Sequence, residues 1–467
     1  MAEVKNVDGK AKVSVDSNRL AAYLTVLPPE GEGSPVTLES ARELVKSNGV
    51  VYGLIEGSIA EALKENNWEQ KILIAQGHEP VNGQPGVLEY KFPPPRERLT
   101  PKKDEQGNVD YRDLGLIYNV QKGQPLVVRT PPTQGQEGRD VYGNIIPAKP
   151  GKEIQLPKGK NTVPDNEGIN LYSAIDGNVT IKSGKVTVDS VFEIKGDVDY
   201  STGNIQFNGD LIIRGMVTAG FKVVVEGDIE IKGLIENAEV IANGNILVQG
   251  GITGSDKCFV KAGENIQARF IVNSRVEAGK DIYVKEAVMQ SQLRAGRSLK
   301  VNDKKATIVG GNIQAFKEVE SKVIGSQLAT QTVIEVGINP MYRDEYQVLM
   351  KEYDNKKKEL AKIAQNVAKF QQSGRPVESL DDNRKMILIK QLDDFKSYRK
   401  ELEEMETRII FLEETFRSVT GARVKAVEMV YPGVKIVIGQ SIYVVNDPIK
   451  SSAFVLEEGS VRIGPLS

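Results

Sequence analysis

The stretch Gly227 to Gly233 reads GDIEIKG, and near-copies stand at Gly203 to Gly209 (GNIQFNG), Gly209 to Gly215 (GDLIIRG) and Gly244 to Gly250 (GNILVQG). Self-similarity at a short, fixed period constrains a chain strongly. It marks a solenoid, in which each unit packs on its neighbours and the core grows by stacking. The first apolar residues of successive repeats are Leu211, Ile229, Ile246, Ile266, Ile282 and Leu299, with gaps of 18, 17, 20, 16 and 17. A finer period of six runs through Leu211, Val217, Val223, Ile229, Ile235, Ile241 and Leu247. Three strands of about six residues make one coil of a parallel β-helix. The spacing therefore predicts a β-solenoid from Ser173 to Gly337.

Each part of GDIEIKG has a physical role in such a coil. Ile229 and Ile231 alternate with Glu230 and Lys232, so one strand face turns inward and the other to water. The six-residue period places Ile229, Ile235, Ile241 and Leu247 inside. Gly227 and Asp228 fall at a corner, where Gly avoids a Cβ penalty. Asp or Asn there tolerates left-handed backbone while bonding nearby backbone groups. The corner residues Asp197, Asn204, Asp210, Asp228 and Asn245 could be misread as calcium ligands. They recur at the coil corners, as turn chemistry demands, and lack the dense nonapeptide pattern of calcium-binding rolls. No metal site is expected.

After Val336 the pattern changes. Asn339 and Pro340 suit a helix start, as N-cap and first helical residue. Tyr346, Leu349, Tyr353, Lys356, Leu360, Ile363, Val367 and Phe370 then alternate gaps of three and four, a coiled-coil seam breached at Lys356. Gly374 and Pro376 break the helix. A second seam runs through Leu388, Gln391, Phe395, Tyr398, Leu402, Met405, Ile409, Leu412, Phe416 and Val419, and Gly421 closes it as a C-cap. Two long helices joined by a short loop run antiparallel. Their dense Lys and Glu reads as a solvated surface. From Ala422 β alternation returns, so the arm leaves the solenoid and comes back, and the last strands add coils or cap its end.

The first 172 residues differ again. AKVSVDSNRLAAYLTVLPP reads as a strand pair, TLESARELVKSNGV and EGSIAEALKENN as short helices, and KILIAQGHEPVNGQPGVLEYKF as strand, turn, strand. The division is 1–172 (α+β head with an irregular β segment), 173–337 (β-helix), 338–421 (helical hairpin) and 422–467 (return strands).

Composition bounds the partners. The 61 Lys and Arg nearly match the 63 Asp and Glu, so no nucleic-acid partner is expected. The first residues lack an apolar signal-peptide core, and no apolar run reaches bilayer length. The expectation is a cytoplasmic chain without membrane insertion. Cys258 stands alone, so no disulfide joins parts of this sequence.

Several stretches together resemble the bacterial flagellar assembly protein A family. They are AQGHEPVNGQPGVLEYKF, DYRDLGLIYNVQKGQPLVVRTPPTQGQEGRDVYGNIIP, SAIDGNVTI, the Gly-Asp/Asn repeats, and MVYPGVKIVIGQ after the hairpin. They stand in the family's order over nearly the whole chain. The resemblance implies an N-terminal family domain, a right-handed parallel β-helix interrupted by a coiled coil, and a cytoplasmic role in flagellar assembly or cell-pole positioning. It supplies no catalytic residues.

Two classes of enzyme are built on β-solenoids. Hexapeptide acyltransferases have coils of about 18 residues and use a histidine base in or beside the helix. Here the one histidine, His78, lies in the head, where it reads as an exposed turn residue or, more sharply, a binding contact. Polysaccharide lyases on β-helices are exported, and their carboxylate clusters are not evident. KGKN at Lys158 lacks the strand-loop-helix setting of a phosphate loop, and GQPG and GQEG read as turns. Cys258 reads as a packed thiol, and Trp68 as packing in the head. The expectation is a non-enzymatic scaffold without cofactor, acting through protein partners as a homo-oligomer. The alternatives are a polymer-forming cytoskeletal β-helix and a ligand-sensing or enzymatic head on a β-helix spine.

Overall fold

The structure is a computed structural model, and it describes residues 6–93, 112, 114–255, 257–372, 382–417 and 421–466. Two compact units emerge from the backbone contacts. One comprises the described parts of 1–93, 122–174 and 182–187, and the other those of 94–121, 175–181 and 188–467.

In the first unit, β1 (Lys10–Val15), β2 (Ala21–Leu27) and β3 (Ile72–Gln76) form an antiparallel sheet in that order. Helix α1 (Leu38–Ser47) starts at Thr37, whose side chain accepts from the Ser40 N–H, satisfying one orphan donor of the first turn. Helix α2 (Ser58–Ala62) follows. Leu24, Val26, Ala41, Val45 and Ile74 make the core, and Trp68 packs against it. The Trp68 indole N–H donates to the Leu63 carbonyl at 3.2 Å.

In the second unit, three buried ladders run through the stacked coils, and each rung is a register pair of parallel strands. The first is Phe192, Leu211, Ile229, Ile246, Ile266, Ile282, Leu299, Val319 and Val424. The second is Ile205, Val223, Val240, Val260, Val276, Leu293, Ile313, Ile334 and Ile436. The third is Val198, Val217, Ile235, Ile252, Ile271, Val288, Ile308, Ile324 and Val430. The result is a parallel β-helix of about eight turns. Its core is a column of β-branched and aliphatic side chains, most fully shielded from water. Burying each is worth about 1.5–3 kcal/mol.

The final coil is closed by antiparallel strands. Val424 pairs with Phe454, Val430 with Ile449, and Ile436 with Tyr443. The return strands thus complete one coil and cap it.

Two inward assignments from the sequence are corrected. Ile241 and Leu247 point outward; Val240, Ala242, Ile246 and Val248 fill the core in their place. Three residues separate Val217 from Phe221, but only Glu236 and Asn237 separate Ile235 from Ala238, all four of these end residues being buried. Asn237 turns that corner in a left-handed conformation (φ 44°). The coil is one residue shorter, and a slip of one exchanges the two faces of every following strand.

The role of the Gly-Asp corner also changes. Gly209, Gly227 and Gly244 do not have left-handed backbone. They are excluded from carrying a Cβ by the neighbouring coil: on Gly227 it would lie 2.1 Å from Asp210 Oδ1 and 2.7 Å from the Gly209 carbonyl oxygen. Left-handed residues gather instead at the third corner, at Gly220, Asn237, Asn273, Gln290, Gly310 and Gly325.

Helices α3 (Pro340–Gln372) and α4 (Asp382–Arg417) are inserted at the corner that GD and GN occupy in earlier coils, between the strands Thr332–Val336 and Arg423–Val430. Asn339 caps α3, its Oδ1 accepting from the Met341 N–H at 2.9 Å. Tyr346 pairs with Glu413 and Glu345 with Arg408, while Lys356, farther along α3, pairs with Glu401, earlier on α4, so the hairpin is antiparallel. At 1.5 Å per residue α3 is about 50 Å long. The expected break at Gly374 and Pro376 and the seam end at Val419 lie outside the described residues. Gly421 is left-handed, with φ 73°.

Candidate functional site

The corner carboxylates and amides are the first candidates, and the structure gives them a load to carry within the stack. Asp210 Oδ1 accepts the Asp228 N–H (2.9 Å), Asp228 Oδ1 that of Asn245 (2.7 Å), and Asn245 Oδ1 that of Asn265 (3.2 Å). Asn265 Oδ1 and Asp281 Oδ1 continue to Asp281 and Ser298. Asp197 and Asn204 do the same for Met216 and Lys222. The bonds therefore reach the next coil, where turn chemistry had suggested nearby backbone. Among the described residues, no three His, Cys, Asp or Glu side chains gather in a way that could hold a metal ion.

The ladder ends at Glu318, in register with Arg423 where the chain returns from the hairpin. Burial pushes the Glu318 carboxyl up. The Arg423 hydrogen bond at 2.7 Å and the charges of Arg423, Lys300 and Lys425 outweigh that and hold it below its ordinary value. Cys258 is buried in the solenoid core.

The hairpin is the second candidate. Tyr346, Leu349, Tyr353, Leu360, Ile363 and Val367 are half-buried between exposed neighbours, and Leu402, Ile409 and Leu412 are buried. The breach at Lys356 is closed by Glu401, and its ammonium lies 5.5 Å from the Tyr398 ring centroid. At the root, Arg294 donates to the Pro340 carbonyl (2.7 Å) and pairs with Asp344 (2.6 Å), while Arg343 pairs with Glu335 (2.9 Å). These bonds fix where α3 leaves the coil stack. Farther along α4, Met386, Ile387, Ile389 and Leu392 are exposed, Met386 by 70 %. A helix presenting apolar side chains away from its own seam offers contact area to a partner.

The head supplies the third. His78 is exposed and pairs through its backbone with Arg139, each N–H donating to the other's carbonyl at 3.0 Å. The Tyr52 hydroxyl lies 3.4 Å from His78 Nδ1, and the Arg139 guanidinium lies 5.1 Å from the Tyr52 ring centroid. Sequence reasoning singled out His78 and missed Tyr52 and Arg139. The available signal was their setting: Tyr52-Gly53, Gly77-His78 and Gly138-Arg139 each join one of these side chains to a glycine.

A mixed head followed by a parallel β-helix with a helical insertion defines a head-and-solenoid protein. Two family models cover it: the Flagellar Assembly Protein A N-terminal region matches residues 11–184, and the Flagellar Assembly Protein A beta solenoid domain matches residues 190–461. The chain belongs to the flagellar assembly protein A family, which associates it with flagellar assembly. No curated protein and no solved structure matches it. Among the described residues, no helix is long and apolar enough to cross a membrane.

Proposed function

We propose that this chain is a non-enzymatic scaffold of flagellar assembly, acting in the cytoplasm and at the cell pole through protein partners and as a homo-oligomer. The four segments divide the work: the head (1–172) takes a partner, the β-helix (173–337) is a stiff spine, the hairpin (338–421) makes assembly contacts, and the return strands (422–467) close the spine. One observation carries the reading. The hairpin is inserted at a corner that other coils turn with two or three residues, is pinned there by Arg294 and Arg343, and exposes Met386, Ile387 and Ile389. An insertion that leaves the ladders in register adds surface without serving the core. End-to-end polymerisation through the C-terminal coil is disfavoured, because antiparallel strands cover its ladders.

The test joins Gly337 to Gly421 through a short Gly/Ser linker. The shortened chain is expected to keep its β signal in circular dichroism, lose most helical signal, and lose both oligomeric state in light scattering and localisation in cells. Normal assembly and localisation of the folded variant would sink the reading. A full-length Met386→Asp/Ile389→Asp chain gives the same readout with the hairpin in place.

A further inference from the structure

The head cluster carries more than a location. Gly53, Gly77 and Gly138 each sit where a neighbouring backbone leaves no room for a Cβ. Built on Gly53 it would lie 2.0 Å from the Gln76 carbonyl oxygen, and on Gly77 2.3 Å from that of Arg139. On Gly138 it would lie 2.5 Å from Pro80 N and 2.6 Å from the His78 carbonyl oxygen. Three segments distant in sequence thus approach at van der Waals limits, and each bears one of Tyr52, His78 and Arg139 beside its glycine. Backbone this closely packed fixes where the three side chains are rooted before any ligand arrives.

What they present is specific. Arg139 forms no ion pair among the described residues, and its guanidinium carbon lies over the Tyr52 ring, 5.1 Å from the centroid. With no ion pair of its own, this exposed guanidinium has its planar N–H fork open to a carboxylate, whose geometry it matches. The Tyr52 hydroxyl and the His78 imidazole add polar groups beside it. Ile145 is the cross-strand partner of Arg139 and is 56 % exposed, so an apolar surface adjoins the fork. Tyr and Arg beside exposed aliphatic surface is the composition of interface hot spots. Exposed Glu79 and Glu137 flank His78 and Gly138, so the surroundings oppose a run of negative charges and leave room for a single carboxylate at Arg139.

We propose that Tyr52, His78 and Arg139, with Ile145, form a docking site for a segment of a protein partner that carries a single carboxylate beside an apolar side chain. One Asp or Glu carboxylate lies on the Arg139 fork, and a neighbouring apolar side chain lies on Ile145. The inference rests on reading the head as a partner-binding end and names the chemistry it recognises.

His78 is the one histidine in the sequence, so histidine-labelled full-length protein gives one set of ring signals in an NMR spectrum. The probe is a capped Phe/Ser hexapeptide carrying one Asp beside a Phe (the Phe/Asp peptide), with its single-Lys counterpart (the Phe/Lys peptide) and inorganic phosphate as comparisons. The His78 ring signals should shift saturably with the Phe/Asp peptide and stay in place with the Phe/Lys peptide. Losing hydrogen bonds to a charged group in Arg139→Ala should weaken the binding about tenfold or more. Arg139→Lys, which keeps the charge without the fork, should also weaken it, and Ile145→Ser should weaken the peptide but not phosphate. A stationary His78 signal, wild-type binding by both Arg139 variants, or an equal response to phosphate at equal concentration would overturn the proposal. If the titration fails while assembly still depends on the hairpin, this site is wrong and the scaffold reading stands.

Discussion

The solenoid and the hairpin inserted into it solve the problem of burial differently. In the solenoid, Ile229, Ile235 and Val240 are shielded almost completely, and each touches its equivalents in adjoining coils. Among the described residues of the hairpin most seam positions stay half-exposed, and only Leu402, Ile409 and Leu412 are buried. A stacked column spreads a defect to the coils on either side, whereas a two-helix seam meets each defect within a turn or two. Surface on the hairpin can therefore change with little consequence for the spine.

The largest expected effect tests the column. Ile235→Asp places a carboxylate in an apolar core with no partner, at a cost of several kcal/mol. Ile241→Asp, six residues on but facing outward beside Val224 and Lys261, should change stability by about 1 kcal/mol or less. Denaturant titration of both variants checks the face exchange at Asn237, and equal losses would refute it. In the hairpin, Leu412→Ala should cost about 2–5 kcal/mol, confined to the helical part. Helical ellipticity should melt earlier while the β signal keeps its midpoint; a common shift of both would show that the hairpin belongs to the spine's cooperative unit.

A smaller effect separates the two parts of the Gly-Asp corner. Gly227→Ala must displace Asp210 or the Gly209 backbone, at about 1–3 kcal/mol. Asp228→Ala removes the acceptor of the Asn245 N–H and should cost about 1 kcal/mol, whereas Asp228→Asn keeps an acceptor and should be nearly neutral. If Asn costs as much as Ala, the inter-coil bond is not what the side chain contributes.

These corners show what was legible in the sequence. The period exposed the coils because every coil needs an apolar rung at one place, and Leu211, Ile229, Ile246, Ile266, Ile282 and Leu299 do stack in register. On the two helices the spacing of three and four picked out positions from Tyr346 to Val367 and from Gln391 to Phe416 that are half-buried or buried. The direction of Ile241 was not, because one short corner outweighs six-residue spacing. Nor was the close approach behind the corner glycines, since a glycine kept for space and one kept for left-handed backbone look alike in a sequence. The head cluster was least legible: Tyr52, His78 and Arg139 lie on three segments that only folding brings together.

The smallest effect concerns the ion pair that staples the hairpin. Arg408 donates to both oxygens of Glu345, at 2.6 and 2.8 Å. That hydrogen bonding is the main reason the Glu345 carboxyl is held below its ordinary 4.5, with burial acting against it and the Arg408 charge assisting. A carboxylate lowered in the native state contributes stability that is complete above its unfolded pKa and is lost as pH falls through the lower folded value. The loss therefore begins near 4.5 and proceeds toward stronger acid. Both side chains are about two-fifths exposed, so water screens the pair and its worth is about 0.2–1 kcal/mol. Glu345→Gln should lower the helical melting point slightly at neutral pH. On acidification the wild-type value should converge on that of the variant, because protonation removes what the substitution has already removed. Parallel curves, with the gap unchanged below pH 4.5, would mean that packing of Tyr342 and Phe411 around Arg408, rather than the charge pair, joins the helices there.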